Sequence, residues 1–90
     1  MKTIWKFPIE ITDVQPVNMP QGAEILSAQM QGGQLCLWAL VDSEKLTTER
    51  VIEVFGTGNP IHVDMGVGRK FIATAQTAQM PLVWHVFERL

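Results

Sequence analysis

Cysteine and histidine are scarce, tyrosine is absent, and no long apolar run interrupts these 90 residues. The lone thiol, Cys36, has no partner for an internal disulfide. With only His62 and His85 beside it, Cys36 cannot assemble a zinc site, so neither a metal nor a cofactor is expected. Cysteine this sparse fits a reducing cytoplasm. No apolar run approaches the roughly 18 residues of a membrane span, and Met1-Lys2-Thr3-Ile4-Trp5-Lys6 never becomes a signal-peptide core, so neither membrane nor export is expected. Positive charge is thin as well. Lys2, Lys6, Lys45, Arg50, Arg69, Lys70 and Arg89 are scattered among nine acids, for a net charge of −2, which disfavours nucleic acid as a partner.

What is present is apolar: 47% of residues are hydrophobic and 18% charged, far from the composition of disordered chains. One packed domain over 1–90 is expected, and a two-domain enzyme is excluded by length. The hydrophobic period is two almost everywhere. From Thr3 to Ile11 the residues Trp5, Phe7, Ile9 and Ile11 alternate with polar ones, which predicts a strand with one buried face, and Pro8 makes it an edge. Thr12 to Gly22 is rich in turn formers and reads as a connection with a short extended piece near Val14–Val17.

Strands are predicted at Ile25–Met30 and Leu35–Val41, joined by a two-residue turn at Gly32-Gly33. Because Leu35–Val41 is apolar on both faces, it should lie centrally. Asp42–Glu49 reads as a loop. Further strands follow at Arg50–Thr57, Lys70–Gln76 and Leu82–Phe87. The fold expected is all-β, about six antiparallel strands in a small sandwich or flattened barrel. A gapless offset of 46, which aligns Trp38 with Trp84 and Gly22 with Gly68, suggests two pseudo-repeated units of a strand plus a hairpin about an approximate two-fold.

Little in this chain looks catalytic. Gly56-Thr57-Gly58-Asn59-Pro60 invites a phosphate-loop reading, but no Gly-Lys-Ser/Thr and no helix follows, so a strand end is the simpler account. His62 and Asp64 are two apart and would share a side if extended, yet no nucleophile accompanies them in any recognised motif. His85 alternates with Val83 and Phe87 and reads as a partly buried, hydrogen-bonded histidine. No enzyme is expected. The 13 residues from Gly56 to Gly68 exceed what joining two strands requires, so function is looked for there. One reading takes Gly56, Gly58, Asn59, His62, Asp64, Arg69 and Lys70 as the surroundings of an anion or nucleotide; the other takes Ile61, Val63 and Met65 as contacts for a protein. Two-sided apolar strands, with Cys36, Trp38, Leu40, Trp84 and Val86 in surplus, point to a partner or to a homo-oligomer.

The segments Lys2-Thr3-Ile4-Trp5-Lys6-Phe7-Pro8-Ile9-Glu10-Ile11, Cys36-Leu37-Trp38-Ala39-Leu40-Val41-Asp42, Phe55-Gly56-Thr57-Gly58-Asn59-Pro60-Ile61 and Val83-Trp84-His85-Val86-Phe87-Glu88 resemble a family of small uncharacterised phage and prophage proteins. That resemblance supplies no catalytic or binding residue. It implies expression in the cytoplasm of an infected bacterium and stoichiometric binding to a host or bacterial-defence protein. A small-ligand or nucleotide-sequestering module is the alternative.

Overall fold

The computed structural model describes residues 1–61, 68–77 and 81–90. Among these it has seven antiparallel strands and no helix: β1 (Lys2–Pro8), β2 (Gln15–Pro20), β3 (Glu24–Gln31), β4 (Gln34–Asp42), β5 (Thr47–Gly56), β6 (Arg69–Gln76) and β7 (Val83–Arg89). They form a three-stranded sheet ordered β1-β4-β3 and a four-stranded sheet ordered β2-β5-β7-β6, and the described strands close no barrel. The edge strands β3 and β6 lie beside one another without pairing.

One core joins the sheets. Leu35, Leu37, Ala39 and Val41 of β4 turn inward to meet Met19, Ile52, Val54 and Val86 from the other sheet, and all are buried. As expected, β4 is the central strand of its sheet, and the Gly32-Gly33 turn before it has both φ angles positive, at 56° and 82°. That conformation suits a two-residue hairpin and favours glycine at both positions.

Three sequence expectations are corrected. The segment read as a connection contains β2, whose Met19 is fully enclosed in the core. Pro16 and Pro20 obscured it, but an edge strand tolerates both. Four apart, they turn the same way, and their missing N–H groups can lie on the free side. The alternation from Trp5 to Ile11 also breaks. β1 ends at Pro8, Ile9 stays buried with its N–H donating to the Leu35 carbonyl at 2.9 Å, while Trp5 and Ile11 are 40% and 46% exposed. The loop read from Asp42 to Glu49 is shorter, because β5 already begins at Thr47.

The repeat is real in strand order and fails in facing. β1-β4-β3 and β5-β7-β6 have the same order, and the bulge between Ile25 and Ser27 recurs 46 residues on, between Phe71 and Ala73. However, β4 buries its odd-numbered residues and β7 its even-numbered ones. Trp38 therefore shares the outer face of its sheet with Leu40 and Ile4, whereas Trp84 packs against the core. A two-fold that buries equivalent faces is ruled out.

Both tryptophans are partly buried, but their different facing separates their energetics. Trp84→Ala should cost about 3 kcal/mol, since it removes a large ring from the core, and Trp38→Ala about half that. Equal losses of melting temperature would contradict the assignment of faces.

Candidate functional site

The outer side of the four-stranded sheet is chemically the richest surface. Opposed residues in antiparallel strands share a face, so the register places Glu53, Phe87 and Phe71 in one row across β5, β7 and β6, with Phe55, His85 and Thr74 in the next. Phe71 meets Phe87 edge-on with ring centres 5.5 Å apart, and Phe55 lies 6.1 Å from Phe87 on the other side. Phe55 is buried; Phe71 is 54% exposed.

Beside this aromatic row lies an enclosed glutamate. Arg69 donates to the Glu53 carboxylate from Nε at 2.6 Å and from a terminal nitrogen at 3.3 Å, and Arg89 Nε donates at 2.8 Å. Glu53 is 0% exposed. Burial alone would push its carboxyl pKa up; the hydrogen bonds and charges of Arg69 and Arg89 outweigh that and hold it below the ordinary value. Arg69 and Arg89 are opposite one another in the β6–β7 ladder, where like charges repel, and Glu53 is what makes that pairing tolerable.

His85 completes the face. Its Nε2 lies 2.6 Å from the Thr57 hydroxyl and its Nδ1 3.2 Å from that of Thr74. A neutral imidazole donates through one nitrogen and accepts through the other, so the two threonines satisfy either tautomer. This fits the hydrogen-bonded histidine expected. Thr57 and Thr74 thus converge on His85.

At the end of β5 the Asn59 N–H donates to the Gly56 carbonyl at 3.1 Å and the Thr57 N–H to the Val83 carbonyl at 3.2 Å. Gly58, with φ of 84°, sits where a tight turn favours glycine. Two of the amides that an anion cradle would use are therefore already committed. A Cβ on Gly56 would lie 2.7 Å from the side-chain Nδ2 of Asn59, which can swing aside, and 3.2 Å from the Trp84 ring, a tight contact. The turn borders a hollow of about 310 Å³ lined by Gly56, Thr57, Asn59, Leu82, Val83 and Trp84.

Two of the remaining expected site residues, Arg69 and Lys70, part to opposite faces. Arg69 is bound to Glu53 on the outer face, whereas Lys70, one residue on, points to the opposite face, across from Glu88. There Glu88 accepts two hydrogen bonds from Arg50, whose remaining arm donates to the Ala23 carbonyl at 2.9 Å. Ile61 is 50% exposed. His62, Asp64, Val63 and Met65 lie outside the described residues. Of the apolar surplus expected, Trp84 and Val86 are spent on the core, while Trp38 and Leu40 stay outward. Sequence reasoning missed Glu53, Phe55, Phe71, Phe87 and Arg89 as a group. The available signal was Glu53 itself, a charge between Ile52 and Val54 inside an apolar strand. Among the described residues no group of three or more His, Cys, Asp or Glu side chains could hold a metal, and no helix is long and apolar enough to cross a membrane.

Fold and face define a small two-sheet β domain with an aromatic-arginine surface. The chain belongs to a family described as a domain of unknown function, DUF7352, whose model matches residues 1–90. No curated protein and no solved structure matches it.

Proposed function

We propose that the protein acts by stoichiometric binding to another protein, without catalysis, through the outer face of β5, β7 and β6. The observation that carries this reading is Phe71, half exposed on a strand face and packed edge-on against Phe87 beside two arginines that share one carboxylate. Aromatic and arginine side chains supply most of the energy of protein interfaces, and a rigid strand face presents them at little entropic cost. An exposed aromatic ring beside arginines suits a partner surface that sets an apolar group next to a hydrogen-bond acceptor. The resemblance to phage proteins supplies the setting: an accessory protein in the cytoplasm of an infected bacterium, acting on a host or defence protein.

Phe71→Ala tests this. It removes one ring contact, worth about 1 kcal/mol of stability, and should cost about 2 kcal/mol or more of binding. Tagged wild type and Phe71→Ala are compared as baits in infected-cell lysate, and the captured protein is then titrated against both. A partner held equally by both variants would remove Phe71 from the interface.

The hollow at the 56–59 turn favours a second reading, a small ligand. Trp84 is one of its walls, and the Nε1 of that ring is buried without a hydrogen-bond partner, a cost of about 1–3 kcal/mol that a ligand acceptor reaching it would relieve. Calorimetric titration with a panel of nucleotides decides: absence of heat near millimolar concentration retires this reading.

A further inference from the structure

Among the described residues four strands carry an unpaired edge: β1 and β3 in one sheet, β2 and β6 in the other. Three of these edges are poor templates for another strand. β3 and β6 are each bulged, at Leu26 and Ile72, and lie against one another. β2 carries Pro16 and Pro20. β1 alone offers six consecutive residues, Lys2 to Phe7, free of proline and bulge.

Side chains in the middle of β1 leave that edge apolar, with exposed Lys2 at its end. Ile4 is 57% exposed on the outer face and Trp5 40% exposed on the inner one. Lysines often guard strand edges, but Lys6 reaches back over β4 to Gln31 of β3, where its Nζ donates to Oε1 at 2.8 Å. The terminal ammonium likewise turns onto Asp42 and Glu44, at 3.1 and 3.3 Å.

We infer that β1 pairs with β1 of a second copy of this chain, antiparallel about a two-fold axis, giving a continuous six-stranded sheet across the dimer. Charge and overlap fix the register, since an axis through Thr3 or Phe7 would pair only the ends of β1. Opposed residues share a face, so the inner faces continue only if odd-numbered residues oppose odd ones and even oppose even. Ile4 opposite Ile4 would set Lys2 against Lys6 at both ends. Trp5 opposite Trp5 sets Thr3 against Phe7 and Lys6 against Ile4, with no like charges opposed and an aromatic pair on the axis. The self-complementary contact then closes as a dimer and adds no further strands. It leaves the Phe71 face, on the other sheet, untouched.

Sedimentation equilibrium on the full chain, from micromolar to millimolar, tests the dimer, and cysteine cross-linking tests its register. Wild type should dimerise with concentration, and Trp5→Lys should raise the dimer dissociation constant about 30-fold or more with an unchanged circular dichroism spectrum. In a Cys36→Ser background, Trp5→Cys should oxidise to a disulfide dimer, since opposed Cα atoms lie about 4.5–5.5 Å apart, and Ile4→Cys should not. A monomer at every concentration, or a dimer insensitive to Trp5→Lys, overturns the proposal. Faster cross-linking by Ile4→Cys than by Trp5→Cys overturns the register.

Discussion

Glu53→Gln should lower the stability of the folded chain by about 3 kcal/mol. The substitution keeps the side chain's size and removes only its charge, so that Arg69 and Arg89, opposed in the β6–β7 ladder, lose the carboxylate they share. Removing one member of a buried ion pair typically costs about 3–5 kcal/mol. The lower end applies because the arginine side chains are 18% and 25% exposed, and water screens part of their repulsion. In a domain of this size that corresponds to a drop of more than about 10 °C in melting temperature. The acid limb of the stability profile should change too. With its folded pKa held below the ordinary 4.5, Glu53 contributes stability that is present above that value and lost as pH falls through the lower one. Wild type should therefore weaken steeply in that acid range, and Glu53→Gln should start lower and fall less. A double-mutant cycle with Arg89→Gln isolates the coupling; parallel acid limbs would show that Glu53 is not the group titrating.

This glutamate also shows what a linear sequence conceals. The apolar rhythm of β4, the paired glycines at 32 and 33, and the edge position imposed by Pro8 on β1 are local features, each legible from a few adjacent residues. The Glu53 cluster is not local. Its members come from β5, β6 and β7, separated by 16 and 36 residues, and only the strand order β5-β7-β6 brings them onto one face. Arg69, read from sequence as a ligand's counter-charge, is answered by the protein itself. The facing of β7 was equally hidden. Val83 to Phe87 is apolar at every position except His85, so periodicity cannot say which side turns inward, and Trp84 and Phe87 could each have been core. The sheet assigns Trp84 to the core and Phe87 to the outer face, and so creates the aromatic row from residues that look like ordinary core.

Met19→Ala should destabilise the domain by about 3 kcal/mol, as much as removal of a central-strand leucine. The side chain is fully enclosed, and truncating a buried methionine combines lost transfer energy with the cavity left behind, in a range of about 2–5 kcal/mol. Its neighbours leave little room for collapse. Met19 sits opposite Thr48 in the β2–β5 ladder, its chain is fixed on the next position by Pro20, and the Gln21 N–H donates to the Leu46 carbonyl at 2.8 Å. Asn18→Ala, one residue away on the exposed side of the same strand, should change stability by less than about 0.5 kcal/mol. The contrast between adjacent positions is the test. Were 12–22 only a connection, as its prolines and turn formers suggest, both substitutions would be nearly silent in thermal and chemical denaturation. A large loss confined to Met19 instead establishes β2 as part of the wall that closes the core.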